Sequence, residues 1–329
     1  MAVIDSFISG QHPYYQRWTM ASFLLLCLAG CTPAAAPPAE STLSSKKPLV
    51  VATTDVLCNL VKTIAKETVE LKCLVAAGTD PHTYAVTPAD RQAIETASLL
   101  LYAGHDFEPT IIKAIEATKN TAPKVAVNEV AVPKPLQMVE DGKTESDPHV
   151  WHDAQNGIKM VESLQAALSK AVPAQATAYA ANAKTLTTEL AQIDSWIKVQ
   201  MATIPAKSRK LITTHDAMGY YGKAYGIPIE GALQGLSTEE KPTPTQVKKL
   251  VNEIKASGVP TVFAESTNSS KLLDSIAVEA KVKVSTSPLF ADGLGEAGSN
   301  GDTYPKMLVS NTKVITEGLG GRFQAFAAK

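Results

Sequence analysis

The stretch DPHVWHD at residues 147–153 places two histidines and two carboxylates close together in a chain with only six histidines. Imidazole nitrogens and carboxylate oxygens are common ligands of divalent transition ions. The same residue types also cap turns and helices, so this stretch alone does not establish a metal site. Three further candidates occur far from it in the chain: His82 in GTDPHTY, His215 in LITTHDAMGYYG and Asp292 in SPLFADGLG.

These candidates fall in loops at or near the ends of predicted strands. In open parallel sheets, ligands bind beyond the carboxyl ends of the strands, so the tertiary fold could bring the candidates together. A single loop histidine is more often a surface residue, and the prediction therefore depends on all four converging. Three imidazoles and one carboxylate suit a small divalent transition ion such as zinc.

The elements that position these residues follow a regular alternation from Lys47 onward. Short β-branched runs such as PLVVATT and VELKCLVAA predict strands, and DVLCNLVKTIAKE predicts an amphipathic helix between them. Residues 173–204 have no glycine or proline after Pro173, which predicts a single helix of about 45 Å. We therefore predict an α/β fold: two (β/α) lobes with parallel sheets joined by one long backbone helix.

The beginning of the chain has the features of an export signal. Arg17 precedes an apolar run, TMASFLLLCLAGC, that is too short to span a bilayer as a mature helix. Its end, LAGC, resembles the lipobox of bacterial lipoproteins, which predicts that Cys31 is acylated; an ordinary signal peptide is the alternative. For an exported protein, the remaining Cys58 and Cys73 suggest a disulfide, with two buried thiols as the alternative.

These patterns predict five segments along the chain. They are a signal peptide with lipobox (1–31), a flexible tether rich in Pro, Ala and Ser (32–47), an N-terminal α/β lobe (48–172), the linking helix (173–204) and a C-terminal α/β lobe (205–329).

Composition and motif searches exclude several function classes. Lysine plus arginine (31) nearly balance aspartate plus glutamate (32), so we expect no nucleic-acid partner. The stretch GLGEAG at 293–298 fits a dinucleotide fingerprint, but no βαβ unit follows it; its glycines are predicted to let the Asp292 loop turn sharply. The sequence contains no H-E-x-x-H, G-x-S-x-G or phosphate-binding P-loop motif.

Five motifs together resemble one protein family. DPHTY, DPHVW, TTHDAMGYYGKAYGI, FAEST and DGLGEAG followed by GDTYPKML are similar to motifs of the cluster A-I solute-binding lipoproteins of bacterial ABC transporters. The resemblance covers about residues 48–320. It implies a monomer, anchored to the membrane by lipid, that binds Zn²⁺ or Mn²⁺ and serves an ABC permease. It also implies four metal ligands: His82, His149, His215 and Asp292.

Neighbouring polar residues are assigned other roles. We predict that His152 is solvent-facing at a helix start, with an auxiliary metal contact as the alternative. Asp147 and Asp153 are expected to cap the turn and the following helix. His105 is expected not to touch the metal.

Asp80, Asp216 and Glu265 are predicted to accept the second N–H of a ligand imidazole or, alternatively, to cap loops.

The choice of metal depends on His215. Manganese carriers of this family often have glutamate where this chain has His215, and a third imidazole favours zinc. The chain lacks the histidine-rich loop of many zinc-specific relatives, so manganese remains the alternative. An exported zinc hydrolase and an adhesin are the other hypotheses; against the hydrolase, four protein ligands leave little room for a reactive water.

Overall fold

A computed structural model describes residues 47–140 and 143–328. The predicted lipobox cysteine, Cys31, and nearly all of the predicted signal peptide and tether lie outside these residues. The strands are β1 (Leu49–Ala52), β2 (Glu70–Cys73), β3 (Leu99–Tyr102), β4 (Lys124–Ala126), β5 (Gln137–Glu140), β6 (Lys143–Ser146), β7 (Leu211–His215), β8 (Ile229–Gln234), β9 (Thr261–Val262) and β10 (Lys283–Val284). The helices are α1 (Asp55–Ala65), α2 (Pro88–Thr96), α3 (Pro109–Ala117), α4 (Val127–Ala131), α5 (Ala154–Ala171), α6 (Ala176–Ala202), α7 (Gly219–Tyr225), α8 (Pro244–Ser257), α9 (Lys271–Ala280) and α10 (Tyr304–Gly318).

The N-terminal part is built on a four-stranded parallel sheet in the order β2-β1-β3-β4. The central strand β1 pairs with both neighbours, so that Val50 lies between Leu71 and Leu99. Residues 50–52 are completely buried, which explains why this strand is apolar throughout rather than alternating. The loop that leaves the carboxyl end of β2 carries His82, one of the predicted ligands.

The C-terminal part is built on two pairs of parallel strands. β7 pairs with β8 and β9 pairs with β10, both in parallel, and a parallel bridge between Thr213 and Phe263 connects the two pairs. Every residue of β7 is buried. The predicted α/β fold with parallel sheets and one long helix is confirmed. The described residues from 47 onward form one compact unit, and the lobe boundaries remain predictions.

The long helix α6 lies between the two parts. It spans 27 residues, or about 40 Å, and a single 3₁₀ turn at Pro173–Gln175 precedes it. Its buried face recurs every three or four residues and packs against α1, α5 and α10. The residues of this face include Tyr179, Ala183, Leu186, Leu190, Ile193, Ile197 and Met201.

One hairpin interrupts the strand-helix alternation. The segment KPLQMVEDGKTES contains both strands of this antiparallel hairpin, β5 and β6. Asp153 caps α5 by accepting the N–H of Gln155, as predicted for this residue. Among the described residues, no helix combines the length and the apolar character that crossing a bilayer requires.

A disulfide joins Cys58 of α1 to Cys73 at the end of β2, with 5.9 Å between their α-carbons. Cys58 is buried, and the bond ties the first helix to the edge strand of the sheet. The bridge closes a loop of 15 residues in the unfolded chain.

We expect the double substitution Cys58→Ala and Cys73→Ala to lower the free energy of unfolding by about 2–4 kcal/mol, because the unfolded chain regains loop entropy. Urea denaturation of the soluble chain measures this change. A reductant should destabilise the wild type and leave the double variant unaffected. Equal stability of the two proteins in oxidising buffer would contradict a stabilising disulfide.

Candidate metal centre

The four residues predicted as ligands lie together in the interior. One donor atom from each of His82, His149, His215 and Asp292 lies within 4.8 Å of the others, and all four residues are buried. The carboxylate Oδ1 of Asp292 lies 3.0 Å from His215 Nε2, 3.4 Å from His149 Nε2 and 3.6 Å from His82 Nε2. The Nε2 atoms of His82 and His149 are 3.3 Å apart.

Most of these separations are close to those around a small tetrahedral ion. Ligand atoms about 2.0–2.1 Å from a tetrahedral centre are about 3.3 Å from one another. Four of the six distances between donor atoms are 3.0–3.6 Å, and all six are within 4.8 Å. The donor set, with three imidazoles and one carboxylate, has the chemistry of a site for a divalent transition ion, and small shifts of the donors would complete the coordination.

Different local structures bring each donor to the centre. His215 is the last residue of β7, and His82 lies in the loop that follows β2. Asp292 lies three residues beyond Leu289, which forms a parallel bridge with Glu265. His149 does not follow a strand of a parallel sheet: it comes after the β5–β6 hairpin and precedes a 3₁₀ turn at Val150–His152.

The sequence DPH occurs twice and forms the same turn each time. In both copies, an aspartate Oδ1 accepts the backbone N–H of the histidine two residues later, at 2.9 Å: Asp80 for His82 and Asp147 for His149. Such side-chain turns fix the backbone locally, and the intervening proline restricts it further. The remaining oxygen of Asp80 accepts a hydrogen bond from Thr238 Oγ1 at 2.6 Å.

Asp147 also orients the imidazole ring of His149, which is a role beyond the predicted capping of the turn. Its Oδ1 lies 2.9 Å from His149 Nδ1, so this nitrogen donates to the carboxylate and Nε2 is left to face the centre. The two copies of DPH are identical in sequence, yet Asp80 contacts the backbone of His82, whereas Asp147 contacts both the backbone and the ring of His149. Only the tertiary placement of the ring reveals the second contact.

Glu265 and Thr267 support the C-terminal pair of ligands. Glu265 Oε2 accepts the Nδ1–H of His215, while its Oε1 accepts the backbone N–H of the same residue at 3.1 Å. Thr267 donates to Asp292 Oδ2 at 3.0 Å, which leaves Oδ1 toward the imidazoles. Thr267 was not identified from the sequence. Asp216 lines a surface cavity with residues that include Glu230 and Glu253.

The prediction that His152 faces solvent is wrong. The residue is completely buried, and its Nε2 donates to the carbonyl of Ala291 at 2.8 Å. The prediction assumed that a helix begins at this point, whereas the 3₁₀ turn points the ring inward and α5 starts two residues later. His105 lies outside the cluster, and its Nε2 hydrogen-bonds to the carbonyl of Val132 at 3.1 Å.

The glycines after Asp292 also differ from the expectation. Of the three in GLGEAG, only Gly298 has a positive φ, at 85°. Gly293 instead allows the side chain of Asp55 to approach the backbone closely, since a Cβ at this position would lie 2.6 Å from a carboxylate oxygen of Asp55. The loop is therefore shaped partly by packing rather than by backbone freedom alone.

Aromatic side chains enclose the centre. The ring of Phe107 contacts His82 and His149 edge-on, with centroids 4.9 and 5.5 Å away, and Trp151 packs against Phe107. Both aromatic residues are buried. Water is excluded on this side, which strengthens the electrostatic interactions within the cluster.

The buried charges shift the pKa values of the donors in opposite directions. Despite burial, which favours the uncharged form, Asp292 and Glu265 hold the pKa of His215 well above its usual value. Burial is likewise outweighed at His149, where Asp147 and Asp292 raise the pKa, while at His82 burial prevails and lowers it. The imidazoles hold the pKa of Asp292 well below the usual range. Without metal, the centre therefore retains protons on His215.

Comparisons with known proteins identify the family that the chain resembles in sequence and fold. The profile of the family described as zinc-uptake complex component A periplasmic (ZnuA) matches residues 50–318. The manganese-binding lipoprotein MntA of Bacillus subtilis is 33% identical over 90% of this chain and 96% of its own. The zinc-binding protein TroA of Treponema pallidum is 32% identical over 83% of this chain and 89% of its own. A solved structure of TroA superimposes with a TM-score of 0.78 at 31% identity, covering 83% of this chain and 99% of that one.

We expect His149→Ala to weaken Zn²⁺ binding by more than about 100-fold, beyond the 10–100-fold typical of a lost hydrogen-bond partner around a metal. Competition with a chromophoric chelator measures the affinity. His105→Asn is the matched control, because it removes a histidine outside the cluster. Wild-type affinity in the His149 variant would contradict its role as a ligand.

Metal affinity should fall as the pH is lowered, because an ion must displace protons from imidazoles whose pKa values are raised. A group with a raised pKa keeps its proton until the pH exceeds that pKa, so affinity should rise with pH through that range. Calorimetric titration in buffers with different ionisation enthalpies should show proton release on binding. An affinity independent of pH between 6 and 8, with no proton release, would be inconsistent with these shifts.

Proposed function

Because the chain belongs to the ZnuA family of periplasmic zinc-uptake components, we propose that it captures a divalent transition metal outside the cytoplasm and delivers it to an ABC permease. The observation that carries this proposal is the buried group of three imidazole nitrogens and one carboxylate oxygen within 4.8 Å of one another. His82, His149, His215 and Asp292 are the proposed ligands. The metal is the cargo of the protein.

The proposed location is the outer face of the membrane, through a lipid on Cys31. The lipobox-like LAGC and the tether after it support this anchor, and the similar protein from Bacillus subtilis is named a lipoprotein. A tether rich in Pro, Ala and Ser would let the binding domain reach a permease in the same membrane. We propose that the protein acts as a monomer.

Zinc is the proposed ion, with manganese as the alternative. A nitrogen-rich, four-coordinate centre favours Zn²⁺, whereas Mn²⁺ prefers oxygen ligands and higher coordination. His215 supplies the third imidazole, and its Nδ1 is held by Glu265. The names of the similar proteins include both a zinc-binding and a manganese-binding member, so they do not decide between the ions.

An exported zinc hydrolase is less consistent with the centre. Catalytic zinc usually keeps one position open for water and has three protein ligands. Here four protein donors converge, and aromatic rings cover one side. We therefore propose a binding role without catalysis.

Cells that lack this gene should accumulate less Zn²⁺ in metal-limited medium, because the permease would receive no loaded binding protein. Uptake of a zinc radioisotope measures the defect. The wild-type gene should restore uptake, whereas His149→Ala should not, and His105→Asn serves as the control. Full uptake with the His149 variant would contradict the transport role, and zinc-dependent ester or peptide hydrolysis would favour the hydrolase.

The substitution His215→Glu should narrow the difference in affinity between Zn²⁺ and Mn²⁺, because a carboxylate replaces the third imidazole. Zn²⁺ should weaken more than Mn²⁺ in competition titrations of the purified protein. A wild type that already prefers Mn²⁺, or a substitution that leaves the ratio of affinities unchanged, would refute the argument from the third histidine.

A further inference from the structure

The loop that carries Asp292 is held on both sides by side chains from the N-terminal part of the chain. On the preceding residue, the carbonyl of Ala291 accepts a hydrogen bond from His152 Nε2 at 2.8 Å. Two residues beyond Asp292, the backbone N–H of Leu294 donates to Asp55 Oδ2 at 2.8 Å. The two contacts therefore hold the main chain on both sides of Asp292, at the carbonyl of Ala291 and at the N–H of Leu294.

One of the two anchoring side chains lies close in the chain to a proposed metal ligand. His152 ends the 3₁₀ turn that begins directly after His149, so one short turn both delivers a ligand and contacts the loop of another. Asp55 is the first residue of α1, at the carboxyl end of the central strand β1. Neither residue was assigned to the ligand set, and both contact the backbone rather than the side chain of their partner.

The absence of a side chain at Gly293 leaves room for the contact between Asp55 and Leu294. Gly293 lies against the Asp55 carboxylate so closely that an added Cβ would come within 2.6 Å of Oδ2 and 2.7 Å of Oδ1. An alanine there would push the carboxylate away from Leu294. The glycine therefore provides an independent way to disturb the contact without altering Asp55.

We propose that His152 and Asp55 are positioning residues that fix the Asp292 loop from both sides and thereby set how slowly metal leaves the centre. The inference rests on the proposed function of metal capture. The carboxylate of Asp292 is common to three of the short distances in the centre. Movement of its loop would therefore displace the one carboxylate donor from the ion and from all three imidazoles. Hydrogen-bond partners around metal ligands typically change affinity by about 10–100-fold when removed.

Neighbouring contacts could instead make these residues part of an ordinary packing interface. Asn59 Oδ1 accepts the N–H of Tyr304 at 3.0 Å, and the Tyr304 hydroxyl donates to the carbonyl of Trp151 at 2.6 Å. These bonds join α1 and the 3₁₀ turn to the start of α10, and not to the Asp292 loop. A purely structural role would lower stability without changing the coordination of the ion, and this difference makes the two roles separable.

The test compares variants that remove each contact with variants that keep it. His152→Leu removes the donor, whereas His152→Gln retains an N–H near the position of Nε2. Asp55→Ala removes the acceptor, and Asp55→Asn retains a carbonyl oxygen for Leu294. Gly293→Ala disturbs the Asp55 contact from the opposite side, and His105→Asn is the control for loss of a histidine–carbonyl bond elsewhere.

Stopped-flow mixing of Zn²⁺-loaded protein with excess chelator measures the release rate, and absorption spectra of Co²⁺-loaded protein report the coordination. We expect His152→Leu, Asp55→Ala and Gly293→Ala to release Zn²⁺ about 10–100-fold faster and to alter the Co²⁺ spectrum. The Gln and Asn variants should stay within about threefold of the wild type, like the control. Should the leucine variant fail to fold, Asp55→Ala and Gly293→Ala decide the question.

Unchanged release and unchanged spectra in the folded variants would overturn the assignment and leave the proposed function intact. Equal effects of His152→Leu and His152→Gln would also overturn it, since the donor would then be irrelevant. A wild-type protein that takes up neither Zn²⁺ nor Co²⁺ would overturn the proposed function and this inference together.

Discussion

The carboxylate of Asp292 lies in a part of the molecule from which water is excluded, and its charge must be compensated there. An unpaired buried charge is strongly unfavourable. Three imidazole nitrogens lie within 3.6 Å of this carboxylate, and they can balance its charge in two ways. Without metal, protons on the imidazoles can balance the charge. A divalent cation can replace those protons, because the same nitrogen atoms then act as ligands. Metal capture and proton release are therefore two consequences of one buried charge.

The rest of the fold keeps those donors in place. Carboxylates hold the Nδ1 sides of His149 and His215, and Thr267 holds the outer oxygen of Asp292, so the inner atoms all face one point. Two donors come from the N-terminal sheet region and two from the C-terminal one, with α6 packed along both. The geometry of the centre therefore depends on how these two regions meet.

Much of this arrangement could be predicted from sequence where the signal is local or periodic. The buried face of α6 repeats every three or four residues, and the apolar run of β1 marks a strand buried on both sides. His82, His149, His215 and Asp292 could be selected because residue type, strand-end placement and family motifs agreed. Glu265 was among the candidates for orienting an imidazole, but its partner could not be assigned because it lies 50 residues from His215. The contact of Thr267 with Asp292 carried no recognisable signal in the sequence. His152 was misjudged because a 3₁₀ turn and a helix start share the same polar pattern.

Diffraction from crystals of the Zn²⁺-loaded protein, recorded on either side of the zinc absorption edge, tests the central claim most directly. We expect one strong anomalous peak about 2.0–2.2 Å from the Nε2 atoms of His82, His149 and His215 and from Asp292 Oδ1. A peak elsewhere in the molecule, or a centre in which a water molecule replaces one of these four donors, would contradict it.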